Sequence, residues 1–219
     1  MYFENGQLSS FEEYCSSSEK VGCWRKWHQN GQLASKEYYN SSEKVGSWKT
    51  WHQNGQLASE RSYKEDKIVD GCYNDWFDNG EVSFEGCFLK NKKSGLHKEW
   101  HKNRHLSFQA FYQNGVLHGK KTEWFKDGSF FKRGYWIDGL EDGIHEEWFS
   151  NQNKKEYREF INGVRHQKHI GWHGNGVKRF ENVYNNGKPI YHKWWDTNGK
   201  LLYLTTFNKS GKQIRKESF

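Results

Sequence analysis

Residues 22–33 read Gly22-Cys23-Trp24-Arg25-Lys26-Trp27-His28-Gln29-Asn30-Gly31-Gln32-Leu33, and residues 46–57 repeat this pattern with few changes. Each copy places an Asn-Gly dipeptide between segments rich in apolar residues. Such a dipeptide is a strong signal for a β-hairpin, because both residues of a type I′ turn need a positive φ, which Asn and Gly tolerate best. The stretch therefore predicts a β-hairpin that is repeated in tandem.

A tryptophan that stands just before each Asn-Gly dipeptide, or before its substitute, gives the period of the repeat. It occurs eight times at spacings of 23 to 25 residues. A second turn, such as Asn114-Gly115, follows half a period later, and two turns in each repeat imply two strands. The sequence thus predicts about nine hairpin repeats and roughly 17–19 strands. The eight residues are Trp27, Trp51, Trp76, Trp100, Trp124, Trp148, Trp172 and Trp195.

These repeats predict an all-β fold in which consecutive strands pair as a meander. Because no change of composition interrupts the period, we expect residues 1–219 to form a single repeat array. Sheets twist, so the expected architecture is one elongated, twisted antiparallel sheet with contacts between sequential neighbours only.

The composition agrees with a folded sheet protein of unusual polarity. Only 33% of the residues are hydrophobic, yet the chain carries 12 Trp, 12 Tyr and 15 Phe. Disordered chains are poor in aromatic residues, and each large ring buries much apolar area when it packs. Proline occurs once, at Pro189, which leaves the interiors of the strands free of that residue.

Charge is spread unevenly along the chain. Residues 1–100 carry 13 Lys and Arg against 15 Asp and Glu, whereas residues 101–219 carry 21 against 12. One interpretation is a solvated surface that keeps the protein soluble. The other is a basic C-terminal half that contacts nucleic acid, an acidic protein or anionic lipid.

No apolar stretch approaches the roughly 18 residues that a transmembrane helix needs, so we expect no transmembrane segment. The N-terminal sequence has neither the charged nor the apolar region of a signal peptide. A cytoplasmic protein is expected, and a leader that was removed stays open as the alternative.

The pattern Gly-x-Trp-x-x-Trp-His-x-Asn-Gly-x-Leu of residues 22–33 and 46–57 resembles the variant MORN repeat of bacterial YwqK-type antitoxins. The resemblance implies a non-catalytic cytosolic protein that binds and blocks a toxin. Related MORN arrays imply two further roles, in protein scaffolding and in contact with phospholipid membranes.

The chain departs from this pattern at three places, which are the candidate partner-binding sites. The turns Asn103-Arg104 and Asn151-Gln152 lack the usual glycine, and residues 165–169 lack the glycine that recurs at positions such as Gly143. We expect these places to be looser edges or docking points. The candidate residues are Arg104, Gln152, Arg165, His166 and Lys168.

Histidines four residues apart could bind zinc if they lay on a helix. His97, His101 and His105 are four residues apart, but on a strand that spacing separates side chains by roughly 13 Å. The repeat explains the histidines better, because most of them recur at fixed repeat positions. We therefore expect no metal and no cofactor.

Catalytic motifs are also missing from the sequence. The adjacent carboxylates Glu12-Glu13 and Glu146-Glu147 point to opposite faces of a strand, so neither pair forms an acid–base dyad. Neither a phosphate-binding loop nor a nucleophile elbow occurs. We therefore expect no catalytic residues and no enzyme activity.

The cysteines Cys72 and Cys87 are symmetric about the Asn79-Gly80 turn, which places them opposite each other across a hairpin and within disulfide reach. In a cytosolic protein we expect both to be reduced thiols. A disulfide stays open as the alternative.

The repeat tryptophan and the aromatic residue three positions before it, such as Trp27 and Trp24, fall on opposite faces of a strand. One face then forms the core. The other presents exposed aromatics for a partner, or its aromatics lie under the stems of Lys, Arg and Glu.

Three functions are consistent with these features. The first is an antitoxin or immunity protein, for which the basic charge disfavours a nuclease as the target. The second is a scaffold subunit of a larger bacterial complex, such as a defence system. The third is a binder of nucleic acid or anionic membranes through residues 101–219.

Overall fold

The computed structural model describes residues 1–11 and 19–219, in which all regular secondary structure is β-strand. Contacts between Cα atoms divide the chain into two compact units, Met1–His105 and Leu106–Phe219. Throughout the described ranges, the structure contains no helix with the length and apolar character needed to cross a membrane.

The first unit is an antiparallel meander of hairpins. Two of its strands are interrupted, at Val45 and at Val69-Asp70, so β4 and β5 both pair with β3, and β7 and β8 both pair with β6. The strands are β1 Ser10–Phe11, β2 Gly22–Trp27, β3 Leu33–Asn40, β4 Glu43–Lys44, β5 Gly46–Trp51, β6 Leu57–Lys64, β7 Lys67–Ile68, β8 Gly71–Trp76, β9 Val82–Leu89 and β10 Lys92–Trp100.

The second unit continues the same pattern with longer and uninterrupted strands. All consecutive pairs are antiparallel, which confirms the predicted all-β fold of tandem hairpins. The strands are β11 Leu106–Gln113, β12 Val116–Trp124, β13 Phe130–Ile137, β14 Leu140–Trp148, β15 Lys154–Ile161, β16 Val164–Trp172, β17 Lys178–Asn185, β18 Lys188–Trp195, β19 Leu201–Phe207 and β20 Gln213–Ser218.

The two turns of each repeat differ in type. In the second turn both residues have positive φ, as at Asn162 (48°) and Gly163 (76°), which confirms a type I′ turn there. In the first turn only the glycine does, as at Gly31 (83°). The type I′ prediction is therefore wrong for the first turn.

The first turn instead combines a type I turn with a bulge at its left-handed glycine. The Gly31 N–H donates to the His28 carbonyl, the His28 N–H donates to the Gln32 carbonyl, and the strand register shifts beside Trp27. The Asn30 side chain explains the preference for this turn, because its Oδ1 accepts the Gln32 N–H at 3.2 Å. The asparagine thus contributes a side-chain cap to a type I turn.

The core of each unit lies on the sheet face that carries the residue three positions before the repeat tryptophan and the residue twelve positions after it. We call this face the ladder face. The opposite face carries the repeat tryptophan, and we call it the tryptophan face. In the first unit the rings of Trp24, Tyr39, Trp48 and Tyr63 follow one another with centroids 5.0 to 5.4 Å apart. Trp24 is buried at the start of this ladder.

Candidate functional site

In the ladder, His97 and His145 occupy the repeat position that Trp48 occupies in an earlier repeat. The Trp48 indole donates to the Tyr38 carbonyl at 3.0 Å, and the His97 and His145 Nε2 atoms lie 2.9 Å from the carbonyls of Cys87 and Tyr135. A carbonyl oxygen can only accept, so Nε2 carries the proton in each ring. The same repeat hydrogen bond is therefore made by either ring.

Glycines make the room for these imidazoles. A Cβ atom added at Gly86 or Gly134 would overlap the ring of His97 or His145, and both histidines are almost fully buried. Burial lowers the pKa of His97 and His145 below the ordinary value of 6.5. They are neutral packing residues of the ladder.

A second set of histidines connects successive repeats. The Nε2 atoms of His28 and His52 lie 2.8 Å from the carbonyls of Trp51 and Trp76, which belong to the following repeat. The Asn30 amide likewise donates to the Gln53 carbonyl at 2.6 Å. These histidines and asparagines hold the first turns in register, so they are structural as well.

The described residues, 1–11 and 19–219, contain no group of three or more His, Cys, Asp or Glu side chains that could hold a metal ion. Glu146 and Glu147 point to opposite faces, since Glu146 pairs with Tyr157 and Glu147 with Glu156 across the sheet. The Glu12-Glu13 pair lies outside the described residues.

Glu146 is held in an ion pair. Its carboxylate accepts from Arg133 Nε at 2.7 Å and from Lys154 Nζ at 2.6 Å. Burial opposes the charge, but these two hydrogen bonds outweigh burial and lower the pKa of Glu146. A carboxylate that accepts two such hydrogen bonds and has a lowered pKa is suited to structure and poorly suited to proton transfer near neutral pH.

The ladder face of the second unit also holds a charge cluster around Glu156. Its carboxylate lies 3.6 Å from His169 Nε2, 3.6 Å from Arg158 Nε and 3.9 Å from the Arg179 guanidinium. The close approach of His169 lowers the pKa of Glu156 most, and the nearby arginines add to the effect. One carboxylate thus lies among two guanidiniums and an imidazole, so basic groups outnumber acidic ones in this cluster.

On the tryptophan face, basic stems cover the half-buried repeat tryptophans of the second unit. The Arg133 guanidinium lies 5.1 Å from the centroid of Trp148, and Lys178 Nζ lies 5.2 Å from that of Trp195. These distances are typical of cation–π contacts. The sequence allowed either exposed aromatics on this face or aromatics covered by the stems of charged side chains. The repeat tryptophans are covered.

Other apolar side chains of the same face stay exposed. Phe111, Tyr135 and Ile144 lie on β11, β13 and β14 of the second unit, at equivalent heights along their strands, and are 43 to 51% exposed. Lys120 pairs directly with Tyr135 in the middle of this row. Sequence reasoning overlooked the row, although the position eleven residues after the repeat tryptophan would have identified Phe111 and Tyr135.

The predicted partner-binding residues are divided between the two units. Arg104 lies in the first unit, where its guanidinium donates to Glu81 at 2.6 Å. In the second unit, Gln152 lies at one end of β15, whereas Arg165 follows the turn at the other end, roughly 26 Å away along an eight-residue strand. Arg165 donates to the Tyr184 hydroxyl at 3.3 Å.

The departures from the repeat have a backbone consequence. Arg104 and Gln152 take φ values of 71° and 67°, where the other first turns have glycine. Gln167, between His166 and Lys168, takes a φ of 55° at the position of the recurring glycine. Each of these residues therefore holds a left-handed conformation that disfavours a side chain. Their predicted role in partner binding stays a prediction.

Comparison with known proteins supports the repeat type. Residues 20–41, 44–65 and 190–209 match the MORN repeat variant. No curated protein matches the chain, and the resemblance to YwqK-type antitoxins stays a prediction.

Two solved structures share local similarity with the chain. They are titled "Crystal Structure of TcdB2-TccC3-Cdc42" and "Crystal Structure of TcdB2-TccC3", with 9% and 10% identity and TM-scores of 0.23 and 0.21. The matches cover 95% and 93% of this chain, but this chain spans only 12% and 14% of theirs. TM-scores this low carry no argument. The family matches and the tandem hairpin fold together support a MORN-repeat protein.

Proposed function

We propose that this protein is a non-catalytic repeat protein that binds another protein, and that it acts in the bacterial cytoplasm as an antitoxin or immunity protein. The exposed row of Phe111, Tyr135 and Ile144 supports this proposal most directly. A folded sheet gains nothing by leaving three large apolar side chains about half exposed on one face. Exposed apolar residues that cluster in this way mark interaction surfaces.

Aromatic residues beside a cation suit a protein interface. Tyrosine and phenylalanine supply large contact area at low entropic cost, and such residues dominate the energetic centres of interfaces. Lys120 stands within the row and favours a carboxylate on the partner. The toxin in this proposal therefore has an acidic contact surface, which disfavours a nuclease.

Two alternatives use the same surfaces. A scaffold subunit of a larger complex would bind several proteins at once, and an extended repeat array suits that role. A binder of nucleic acid or anionic membranes would use the charge of residues 106–219, which carry 19 Lys and Arg against 12 Asp and Glu. Several of those cations already lie over tryptophan rings or beside carboxylates, and this favours a protein partner.

The experiment is an affinity purification of the full-length chain from its native host, followed by a toxicity assay. One stoichiometric protein whose expression alone arrests growth, and whose toxicity this chain relieves, supports an antitoxin. Several co-purifying proteins without toxicity favour the scaffold. Recovery of nucleic acid or lipid that is lost steeply with salt favours the third function.

The matched variants are Tyr135→Ser and Leu202→Ser. Both remove an exposed apolar side chain from a strand of the second unit, but only Tyr135 belongs to the row. We expect Tyr135→Ser to reduce recovery of the partner and Leu202→Ser to leave it unchanged. Equal recovery with both variants would remove the row from the proposal.

A further inference from the structure

From β3 to β18, two directly paired residues flank the second turn of each repeat, and the composition of these pairs changes along the chain. The pairs of the first unit are polar on at least one side. In the second unit, two pairs are aliphatic on both sides, Ile137 with Leu140 and Ile161 with Val164. The remaining pairs are Asn40–Glu43, Lys64–Lys67, Leu89–Lys92, Gln113–Val116 and Asn185–Lys188. The repeat itself therefore does not require aliphatic residues here.

Five aliphatic residues at this height form what we call the apolar ridge: Val116, Ile137, Leu140, Ile161 and Val164. They belong to the five consecutive strands β12 to β16 and are 37 to 52% exposed. At about 4.8 Å between strands, the ridge extends roughly 19 Å across the sheet.

The ridge is continuous because its side chains lean towards the next hairpin. The Leu140 Cδ2 atom lies 3.4 Å from the place where a Cβ of Gly163 would stand, and the Val164 Cγ1 atom lies 3.1 Å from that of Gly187. The glycines of the second turns thus provide the space that the aliphatic side chains cross. Ile137 lies two residues beyond Tyr135 on the same strand, so the ridge borders the exposed row on the tryptophan face.

The charge of the side chains around the ridge indicates which kind of partner can bind there. On the tryptophan face of the second unit, Glu146 is neutralised by Arg133 and Lys154. Beyond these pairs the face carries the exposed cations Lys120 and Lys168 near the ridge, and two carboxylates, Asp142 and Glu159, pair with Tyr135 and Ile144. A second copy of the chain would bring like charges together, because residues 106–219 carry seven more cations than anions. A partner with carboxylates is attracted instead.

An anionic membrane suits the ridge less well than a protein does. The Asp138 carboxylate, beside Ile137 in the turn, is 79% exposed. Headgroups with negative charge would be repelled at this point, directly beside the aliphatic residues that would have to enter the lipid. A protein surface can place a hydrogen-bond donor there.

We propose that the apolar ridge is a docking surface for an acidic protein, one that inserts aliphatic side chains along the ridge and places carboxylates near Lys120 and Lys168. This inference rests on the proposed function as a protein binder and adds the site and the chemistry of the partner. The aliphatic contacts supply affinity, and the lysines supply orientation and association rate.

The test uses a double variant, Ile161→Thr with Val164→Thr, in the full-length chain. Threonine keeps the branched shape and the strand preference of the original residues while adding a hydroxyl to the ridge. The matched control is Lys64→Thr with Lys67→Thr at the equivalent hairpin of the first unit. A photo-crosslinking amino acid at Leu140 reports direct contact, and equal melting temperatures show that the variants fold.

Each protein is used to capture partners from the soluble extract of the native host. We expect the ridge variant to capture at most about one tenth of the partner that the unmodified chain captures. The control variant should capture as much as the unmodified chain. We also expect the Leu140 crosslink to join the same partner, and that partner to have an acidic isoelectric point.

Different results overturn different parts of the proposal. Full recovery by the ridge variant overturns the ridge as a docking surface and leaves the proposed function standing. A Leu140 crosslink to a second copy of the chain overturns the acidic partner, as does ridge-dependent binding to vesicles of phosphatidylserine and phosphatidylcholine. If the unmodified chain captures no protein at all, the proposed function itself fails, and the ridge proposal fails with it.

Discussion

His52 Nε2 lies 2.8 Å from the backbone carbonyl oxygen of Trp76, in the following repeat. The variant His52→Phe removes this bond but keeps a ring that the repeat accepts, since phenylalanine holds the same position at Phe77. We expect it to lower the free energy of unfolding by about 1–2 kcal/mol, because the half-buried carbonyl loses its donor.

Urea denaturation measures this change. The control is His118→Ala, which removes an imidazole whose Nδ1 lies 3.1 Å from the exposed Asp138 carboxylate and 3.5 Å from the Asp138 backbone nitrogen, and which should alter stability by less than about 0.5 kcal/mol. Equal effects of the two variants would show that the bond between repeats contributes nothing.

Replacing Gln167 by glycine should stabilise the protein. Gln167 has a φ of 55° where Gly143 has 66°, and a left-handed conformation costs a residue with a Cβ roughly 1–2 kcal/mol. The greater freedom of glycine in the unfolded chain offsets part of that gain, so the expected net change is about 1 kcal/mol.

Chemical denaturation of Gln167→Gly and of Gln113→Gly provides the comparison. Gln113 ends an extended strand with an ordinary φ, so glycine there should destabilise by about 0.5–1 kcal/mol. A loss of stability in both variants would mean that the backbone at Gln167 carries no cost.

The structure joins Cys72 and Cys87 by a disulfide across the β8–β9 hairpin, where sequence analysis favoured reduced thiols. Because the two cysteines are separated by 15 positions in the sequence, the link should stabilise the fold by about 3 kcal/mol through the entropy of the unfolded chain. A reducing agent should therefore lower the melting temperature.

The double variant Cys72→Ser with Cys87→Ser should melt at the temperature of the reduced protein and should not respond to the reductant. Alkylation and mass spectrometry before reduction locate the bond directly. Complete alkylation of both cysteines without reduction would restore the original expectation of free thiols at this pair.

Stability should fall as the pH is lowered from about 7 to 5. Burial lowers the pKa of His97 and His145 below 6.5, so below that pH the unfolded chain binds protons that the native ladder excludes. Proton binding therefore stabilises the unfolded state relative to the native state, and the free energy of unfolding decreases. A second loss follows below about 4.5, where Glu146 and Glu181, whose pKa values are lowered by lysine partners, must accept protons.

The variant His145→Gln separates these two windows. A glutamine amide can donate to the Tyr135 carbonyl but does not titrate, so the loss between about pH 7 and 5 should become smaller while the loss below 4.5 persists. Unfolding free energies at several pH values measure both. An unchanged slope above pH 5 would remove His145 as a cause.

Much of the fold followed from the sequence because one position, the repeat tryptophan, fixes both the period and the side-chain alternation. Trp24 and Trp27 lie on opposite faces as their spacing predicts. Residues 1–11 and 19–219 form twenty strands where 17–19 were expected for the chain, because interruptions at Val45 and Val69-Asp70 split two strands. Cys72 and Cys87 are directly paired, as their symmetry about the turn indicated.

The candidate site was harder to predict, because exposure depends on neighbours that are distant in the sequence. His145 is buried since Gly134, eleven residues earlier, leaves space for its ring. Tyr135 is exposed since nothing covers its face there. Arg104 and Gln152 stood out in the sequence because they replace a turn glycine, and their left-handed conformations account for that departure. The aliphatic residues of the ridge did not stand out, because they leave the length of the repeat unchanged and alter only its polarity.

The hydrogen bonds between repeats have a consequence for how such a chain changes over generations. His28 reaches Trp51, 23 residues ahead, and His52 reaches Trp76, 24 residues ahead. Gene segments that encode one whole period can therefore be duplicated or deleted without leaving any of these donors unmatched. The reach of the protein can lengthen or shorten in steps of one hairpin, while each new copy is free to acquire its own surface residues.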